Sequence, residues 1–182
     1  MIFFKHLNKL INMVKIAFGY KRRAGKDTSC DYLIQKYGGV KLSFAEPLYK
    51  ILNFAQNVCD FEVVKDRKFL QFIGTEWARS IKDTVWTDIL ITKIKDQPRQ
   101  NIFISDLRFK NEFKALRDND FKLVHIKSLN VDFLDGYTNH QSDIDLDNCC
   151  DWDYTIENYG DIEHLYHELE KVYHKYKNEI KG

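Results

Sequence analysis

The sequence predicts an α/β protein with a mostly parallel sheet and helices on both faces. Short apolar runs alternate along the chain with longer stretches that carry apolar residues at helical spacing. At 182 residues the chain is long enough to bury a core without disulfides or a structural metal. No repeat or linker divides it, so we expect one domain over residues 13–182, with residues 1–12 as an N-terminal extension.

Five apolar segments are the predicted strands. In chain order they are VKIAFGY, GVKLSF, QNIFISD, FKLVHIKS and WDYTIEN. Short apolar runs of this kind are typical of strands that are buried on both faces of a parallel sheet.

The segments between the strands have helical patterns. Cys30, Leu33, Ile34 and Tyr37 share one face of the helix after the first strand, and Pro47 marks the start of the next. Further helices are predicted from DRKFLQFIGTEWARSIK, TVWTDILITKIKDQ, RFKNEFKALRDND and IEHLYHELEKVYHKY. The polar segment LNVDFLDGYTNHQSDIDLDNCC is expected to be a mobile loop or lid that contains a short helix.

The amino-acid composition limits the partners and the cellular location that we expect for this protein. The 28 Lys and Arg residues balance 27 Asp and Glu residues to a formal charge of +1, which gives no argument for nucleic acid or an anionic membrane as a partner. The four cysteines lack CxxC spacing and suit neither a zinc site nor a secreted disulfide framework. No segment is apolar enough to span a bilayer. We therefore expect reduced thiols and a cytoplasmic location.

The segment FGYKRRAGKDTSCDYL indicates a phosphate-binding loop. A glycine loop between a strand and a helix offers backbone N–H groups and the positive end of the helix dipole to a phosphate. Lys26 would then reach the terminal phosphates. The spacing from Gly19 to Gly25 is one residue longer than GxxxxGK[ST], and Asp27 stands where that pattern has Ser or Thr. A chance basic turn is the alternative, but the strand before the loop and the helix after it favour the phosphate site.

Each loop residue has a proposed role. Lys21, Arg22 and Arg23 would add positive potential around a triphosphate, although solvated surface charges have the same appearance. Asp27 could hold Mg²⁺ through water or orient the attacking oxygen. Thr28 could contact magnesium or phosphate, or simply lie on the helix surface.

A second set of charged residues follows the third predicted strand. Asp106 ends that strand at the carboxyl edge of the sheet, where doubly wound proteins place ligands, and an acid there suits magnesium. Arg108 can grip a phosphate with its planar guanidinium. Asp106 could also be the N-cap of the helix that follows it, and this role is compatible with a functional one.

Two other segments carry candidate substrate contacts. In IGTEWARS, Glu76 and Arg79 are three residues apart and are expected to share a helix face beside Trp77; a surface salt bridge beside a core Trp is the alternative. In the predicted lid, His140 and Ser142 stand beside Asp143, and an exposed loop His is more often solvated than catalytic.

Taken together, these motifs resemble the deoxynucleoside monophosphate kinases of bacteriophages and large DNA viruses. The matching segments are GYKRRAGKDT, LSFAEPLYK, FIGTEWARS, ISDLRFKNE and NHQSDIDLDN, followed by DYTIENYGDIEHLY, and they cover most of the chain. The resemblance implies a three-layer P-loop NTPase fold with a lid, and transfer of the γ-phosphoryl of ATP to a deoxynucleoside 5′-monophosphate. It also implies nucleotide substrates without stable nucleic acid or membrane partners, is compatible with a homodimer, and suggests the cytoplasm of an infected host cell.

The resemblance assigns the candidate residues to four roles. The catalytic residues would be Lys26, Asp27, Asp106 and Arg108. ATP would be bound by Gly19, Lys21, Arg22, Arg23, Ala24, Gly25, Lys26, Asp27 and Thr28. The acceptor nucleotide would be bound by Glu76, Trp77, Arg79, Arg108, His140 and Ser142. Mg²⁺ would be held, in part through water, by Asp27, Thr28 and Asp106.

Two alternative functions stay open on the sequence. KRRAGKD also resembles the loop of animal-type phosphomevalonate kinases, whereas GTEWAR and the helix with Trp86, which could support a base or belong to the core, favour the nucleotide kinase. A protein that binds ATP or nucleic acid without kinase activity is the alternative of another class. Relatives commonly carry an arginine just after the strand that leads into the lid, where this chain has only Lys127.

Overall fold

The computed structural model describes residues 13–19, 21–97, 99–128, 140–148 and 151–180. The proposed N-terminal extension, residues 1–12, lies outside the described residues, as do Cys149, Cys150 and residues 129–139 of the predicted lid. Within the described ranges, no helix is long and apolar enough to cross a membrane.

The described strands form one sheet in which all neighbours run parallel. The strands are β1 (Lys15–Gly19), β2 (Val40–Leu42), β3 (Ile102–Leu107), β4 (Lys122–Ser128) and β5 (Tyr154–Asn158). Their order across the sheet is β2-β3-β1-β4-β5, with Ile16 of β1 opposite Phe103 of β3 on one side and Lys122 of β4 on the other. The expected strands are therefore all present. Because β1 and β3 are adjacent and parallel, their carboxyl ends meet at one edge of the sheet.

The helices lie between the strands in sequence. They are α1 (Lys26–Tyr37), α2 (Glu46–Val58), α3 (Arg67–Gln71), α4 (Ala78–Ile81), α5 (Val85–Lys95), α6 (Lys110–Arg117), α7 (Gln141–Ile144) and α8 (Ile162–Glu179). Helix α7 is the short helix that was expected inside the lid segment.

Two apolar clusters cover the two faces of the sheet. One joins α1 and α8 to the sheet through residues such as Leu33, Leu169 and Tyr176, all of them buried. The other joins α5 and α6 to the opposite face, with Leu90 and Leu116 at its centre. The result is the three-layer arrangement predicted from the alternating pattern.

The stretch expected to be one helix from DRKFLQFIGTEWARSIK departs from that expectation. Helix α3 begins where the side chain of Asp66 accepts a hydrogen bond from Phe69 N at 3.0 Å. The chain then forms a π-helical segment, Phe72–Trp77, before the short helix α4. A π-helical turn takes in more residues than an α-helical turn, so positions after Phe72 face other directions than a 3.6-residue period predicts.

Candidate active site

A cavity of about 650 Å³ opens at the carboxyl ends of β1 and β3. Charged residues reach it from the loop after β1, from the end of β3 and from α3, α4, α6 and α7, while α2 and the π-helical segment supply uncharged residues. The cavity therefore lies where the sequence predicted a ligand site.

The glycine loop leads directly into helix α1. Gly25 caps this helix with φ of 97°, a backbone conformation that glycine adopts without strain. Asn158 of β5 supports the turn, because its Nδ2 donates to the carbonyl of Ala24 at 3.0 Å. At the other end of the loop, a Cβ on Gly19 would come within 2.4 Å of the ring of Trp152, so this position accepts only glycine without a shift of the ring. The backbone N–H groups at the start of α1 are left available for an anion.

Lys26 is the buried cation of the cavity. Its side chain is only 6% exposed, and its ammonium group donates to the carbonyl of Lys21. Burial, together with the positive charge of Arg108, lowers the pKa of Lys26 to about 7, while Asp27 and Asp106 oppose the shift. Bound phosphate would favour the charged form, so this lysine is suited to a polyanion.

The other three cations of the loop lie in different surroundings. Lys21 donates to the backbone carbonyl of Asp143 at 2.9 Å and forms an ion pair with Asp147. Arg22 and Arg23 line the cavity, and Arg23 is exposed with φ of 58°. The loop thus faces the cavity with two arginines, whereas Lys21 contacts the segment of residues 140–148.

Of the two candidate metal ligands on α1, one lines the cavity and the other does not. Asp27 lines the cavity and accepts a hydrogen bond from Ser105 Oγ at 2.7 Å, with Lys41 3.7 Å away. Thr28 is exposed and lies outside the cavity lining. Of the two, Asp27 is therefore the residue in reach of a bound phosphate.

Asp106 of β3 lies in the cavity wall and organises the start of α2. Its carboxylate accepts hydrogen bonds from Ser43 Oγ at 2.6 Å, from Phe44 N at 3.1 Å and from Ala45 N at 2.9 Å. It does not cap the helix that follows its own strand, since Phe109 holds the N-cap position of α6. The N-cap role considered for Asp106 is therefore wrong: its carboxylate binds the N–H groups of the two residues before α2 and caps neither helix.

Arg79 belongs to a buried charged group. Its guanidinium pairs with Glu112 and lies 3.9 Å from the centre of the Phe109 ring, and both charged side chains are less than a tenth exposed. Burial raises the pKa of Glu112 to about 7, against the opposing charge of Arg79 and two backbone N–H donors, those of Arg108 and Phe109. Arg79 Nε is buried and has no hydrogen-bond partner among the described residues, and other atoms of the side chain line the cavity.

Arg108 and Arg67 meet at one buried carboxylate. Arg67 Nη2 lies 2.6 Å from Oδ2 of Asp143, and Arg108 Nη1 lies 3.4 Å from its Oδ1. Asp143 is 4% exposed, while both arginines line the cavity. The carboxylate therefore holds two guanidinium groups at the cavity wall.

Of the remaining candidate substrate contacts, only some line the cavity. His140 accepts the N-cap hydrogen bond of α7 from Ser142 N, and its Nε2 lies 2.9 Å from Oε1 of Glu76. Ser142 lines the cavity beside Asp143. Glu76, Trp77 and His140 are not among the lining residues, and Trp77 is 48% exposed. Glu76 thus faces His140, whereas Arg79 faces the cavity.

Sequence reasoning missed several cavity residues. Arg67 and Gln71 line the cavity with Leu70 and Gly74, and the four positions follow the spacing i, i+3, i+4, i+7 of one helix face. That spacing was a usable signal, because two polar residues within such a stripe need a buried partner or a ligand. Trp86, considered as a base support or a core residue, lines the cavity and is also buried, with its N–H donating to the carbonyl of Gly74 at 2.8 Å.

A family model described as deoxynucleotide monophosphate kinase matches residues 60–169, more than half of the chain. The chain belongs to this family. The match covers the charged groups around Arg67, Arg79 and Arg108, and it does not favour the phosphomevalonate kinase or the non-catalytic binding protein considered from the sequence.

Relatives of this family member occur in large DNA viruses. A protein of Acanthamoeba polyphaga mimivirus, named "Putative deoxynucleotide monophosphate kinase", is 25% identical over 86% of this chain and 94% of its own length. The ORF77 protein of Ictalurid herpesvirus 1 is 32% identical over 72% of this chain, and the match spans 58% of the relative.

A solved structure supports the fold. Dephospho-CoA kinase from Campylobacter jejuni superposes with a TM-score of 0.53 over 92% of this chain and 98% of its own, at 17% identity. The likeness extends to the fold alone, and it confirms the predicted P-loop kinase type of parallel sheet flanked by helices.

The donors around the cavity suit a magnesium ion that is shared with phosphates. Within the described residues, no three His, Cys, Asp or Glu side chains come together as a closed metal site. Mg²⁺ in kinases commonly takes one or two carboxylates and completes its shell with phosphate oxygens and water. Asp27 and Asp106, with Ser105 hydrogen-bonded to the first, fit that open arrangement.

Proposed function

We propose that this chain transfers the γ-phosphoryl group of ATP to the 5′-phosphate of a deoxynucleoside monophosphate and forms the diphosphate. The observation that carries the proposal is the sharing of one cavity by Lys26, at the end of a glycine loop, with Arg79 and Arg108. The family match supports a nucleotide kinase. That the acceptor is a deoxynucleoside monophosphate is our proposal.

The glycine loop would bind the triphosphate. The first residues of α1, Lys26 and Asp27, line the cavity, so the backbone N–H groups and the dipole of this helix end would favour an anion there. Lys26 would lie against the β- and γ-phosphates, with Arg22 and Arg23 adding positive charge from the same loop. Burial of Lys26 makes its charge more effective, because little water screens it.

The arginines on the other elements would bind the acceptor phosphate. Phosphoryl transfer needs little covalent help from the protein, and depends on in-line positioning of the two phosphates and on cations around the transferred group. Arg67 is held by Asp143 and Arg79 by Glu112, so these two donors would be oriented before a ligand binds, while Arg108 lies 3.4 Å from the Asp143 carboxylate.

Magnesium would be held by Asp27 and Asp106 together with the phosphates. When bound, the ion would supply positive charge that neutralises part of the charge of the phosphates. Thr28, a candidate magnesium ligand from the loop sequence, is exposed and outside the lining, so we leave it out of this site.

The test is ADP formation from ATP and Mg²⁺ with the four common deoxynucleoside monophosphates, their ribose counterparts and phosphomevalonate as acceptors. We expect turnover with at least one deoxynucleotide and loss of that turnover, with an intact fold, in Lys26→Ala. The matched control is Lys36→Ala, which removes a surface lysine paired with Glu170. Turnover with phosphomevalonate alone, or near-normal turnover in Lys26→Ala, would overturn the proposal.

A further inference from the structure

His140 joins residues 140–148 to the π-helical segment. Its Nε2 lies 2.9 Å from Oε1 of Glu76, and the two side chains are 15% and 49% exposed. The other ring nitrogen, Nδ1, lies 3.2 Å from the backbone nitrogen of Ser142 and 2.8 Å from its Oγ. Neither His140 nor Glu76 lines the cavity, whereas Ser142 and Asp143 do. The contact therefore lies outside the cavity but next to residues of its wall.

The partners of His140 determine which ring nitrogen carries the hydrogen. A backbone N–H can only donate, so Nδ1 must accept from Ser142 N at the start of α7. An ionised carboxylate can only accept, so Nε2 must donate to Glu76. The neutral Nε2–H form of the imidazole meets both conditions. The other tautomer would set an Nδ1–H group against the N–H of Ser142.

The π-helical segment gives Glu76 its direction. An α-helical period would place Glu76 on the same face as Arg79, which pairs with Glu112 and lines the cavity. The wider turn of Phe72–Trp77 changes the phase, and Glu76 faces His140 instead. The contact thus depends on an irregularity of a kind that is frequent at functional sites.

The same two parts of the chain meet at a second point. Arg67, on the helix just before the π-helical segment, pairs with Asp143, which lies three residues after His140. One contact between two segments leaves them free to rotate about it, whereas two separated contacts fix their relative orientation. The Glu76–His140 contact therefore acts on the direction of the Asp143 carboxylate.

Other contacts hold the far end of α7. The backbone N–H of Lys110 donates to Oδ2 of Asp145 at 2.7 Å, and Leu146 is buried in the apolar cluster that α5 and α6 share with the sheet. These contacts hold the C-terminal end of α7, while His140 holds its start. Loss of the contact with Glu76 should therefore tilt α7 and not release it.

We infer that Glu76 and His140 are positioning residues for the acceptor phosphate. The neutral ring of His140, held by Glu76, sets the start of α7 and so the direction of Asp143. Asp143 in turn contacts Arg67 and Arg108, the arginines proposed for that phosphate. The inference rests on the proposed function, because it takes an acceptor phosphate at these arginines. Phosphoryl transfer depends on exact placement of the two phosphates, so a small displacement of binding groups is measurable.

The experiment measures steady-state kinetics and equilibrium binding of the four common deoxynucleoside monophosphates with the full chain. Glu76→Ala removes the acceptor of the hydrogen bond, and His140→Asn keeps a side chain that can cap α7 but is too short to reach Glu76. For both variants we expect the Michaelis and dissociation constants of the acceptor to rise about fivefold or more, while the Michaelis constant for ATP changes less than about twofold. Glu76→Gln keeps an acceptor oxygen, so it should return the acceptor constants to near wild-type values.

The tautomer of His140 is measured by ¹⁵N NMR of the imidazole ring. In the wild type and in Glu76→Gln, the hydrogen should reside on Nε2, with Nδ1 unprotonated. In Glu76→Ala the Nε2 hydrogen should exchange with water faster, because its acceptor is gone. This measurement does not depend on catalysis.

The control is Glu179→Ala. Glu179 is also about half-exposed, at 45%, and it pairs with Lys122 at 3.0 Å. Lys122 begins β4, so this pair lies at the edge of the sheet opposite to the cavity. The control should leave the acceptor and ATP constants unchanged. Thermal unfolding of Glu76→Ala should resemble that of the control, because half-exposed pairs contribute little to stability.

The outcomes separate the inference from the proposed function. Unchanged acceptor constants in Glu76→Ala and His140→Asn, or a hydrogen on Nδ1 of His140 in the wild type, would overturn the inference and leave the kinase activity in place. Weaker binding of deoxynucleoside monophosphates in these variants, without phosphoryl transfer by the wild type, would support the inference and overturn the proposed activity.

Discussion

Arg67 Nη2 lies 2.6 Å from Oδ2 of Asp143, although 76 residues separate the two along the chain. The aspartate is almost fully buried, and the arginine is partly exposed at the cavity wall. A buried carboxylate that contacts a ligand-facing guanidinium fixes the direction of its remaining N–H groups. The same carboxylate also contacts Arg108. Asp143 is therefore placed to position the two arginines that we propose for the acceptor phosphate.

Asp143→Asn tests this positioning. The amide keeps the shape of the carboxylate but removes the charge that holds the two guanidinium groups together. We expect the Michaelis constant for the acceptor to rise about tenfold while that for ATP changes little, because misplaced binding groups cost orientation. The free energy of unfolding should fall by about 1–3 kcal/mol, as for other buried polar pairs.

The control for that variant is Asp147→Asn, which breaks the half-exposed pair with Lys21. Exposed pairs contribute about 0–1 kcal/mol, so its stability should be nearly unchanged. An unaltered acceptor constant in Asp143→Asn would show that Arg67 and Arg108 do not depend on this carboxylate.

Arg108→Ala should damage acceptor use far more than stability. Among the described residues its guanidinium makes long hydrogen-bond contacts of 3.4 Å with Ser142 and Asp143, so little folding free energy depends on them. Steady-state kinetics and thermal melting on the same preparation check this. The control variant is Arg117→Ala, because Arg117 lies at the end of α6 and outside the cavity lining. Equal reaction rates in the two variants would show that Arg108 does not contribute to the site.

Glu112 gives the protein a pH-dependent stability. Burial raises its pKa from an ordinary value of 4.5 to about 7, so between these values the folded state binds a proton that the unfolded state has lost. Stability from this group is therefore greatest at acid pH and declines as pH rises from about 4.5 to about 7, by at most about 3 kcal/mol. Denaturant unfolding of the wild type and of Glu112→Gln across this range should show the decline in the wild type alone. Parallel pH profiles would mean that Arg79 keeps Glu112 ionised throughout.

Gly19→Ala should destabilise the protein through Trp152. The new methyl group would lie 2.4 Å from the ring and 3.2 Å from the carbonyl oxygen of Leu107, so the ring must move. The ring stands edge-on to Phe113 and stacks near His125, and its displacement should cost about 1–3 kcal/mol. In the double variant with Trp152→Leu, the cost of the added methyl should largely vanish, and fully additive effects would contradict the contact.

The carboxyl ends of the strands and the glycine loop could be predicted from the sequence, because a few neighbouring residues are enough to indicate each of them. Lys26, Asp106 and Arg108 each follow a short apolar run, and the carboxyl ends of parallel strands meet at one edge whatever the details of packing. Their presence around one cavity follows from strand order alone.

The part of the helical wall that follows Gly74 could not be predicted in the same way. An α-helical period places Glu76 and Arg79 on one face, but the π-helical segment changes the phase, and Trp77 is left half-exposed outside the lining. The partners of Arg67 and Arg79 lie 76 and 33 residues away in sequence, and nothing local marks such pairs.

The hydrogen bond from Lys21 to the backbone of Asp143 joins the two halves of the cavity. Lys21 belongs to the loop proposed for ATP, and Asp143 holds the arginines proposed for the acceptor. A triphosphate that draws Lys21 toward itself would take a donor from the segment that carries Asp143, and the acceptor site would change with it. By thermodynamic reciprocity, the factor by which ATP alters acceptor affinity is the factor by which the acceptor alters ATP affinity. One lysine would thus couple the two proposed substrates, with no contact between the nucleotides themselves.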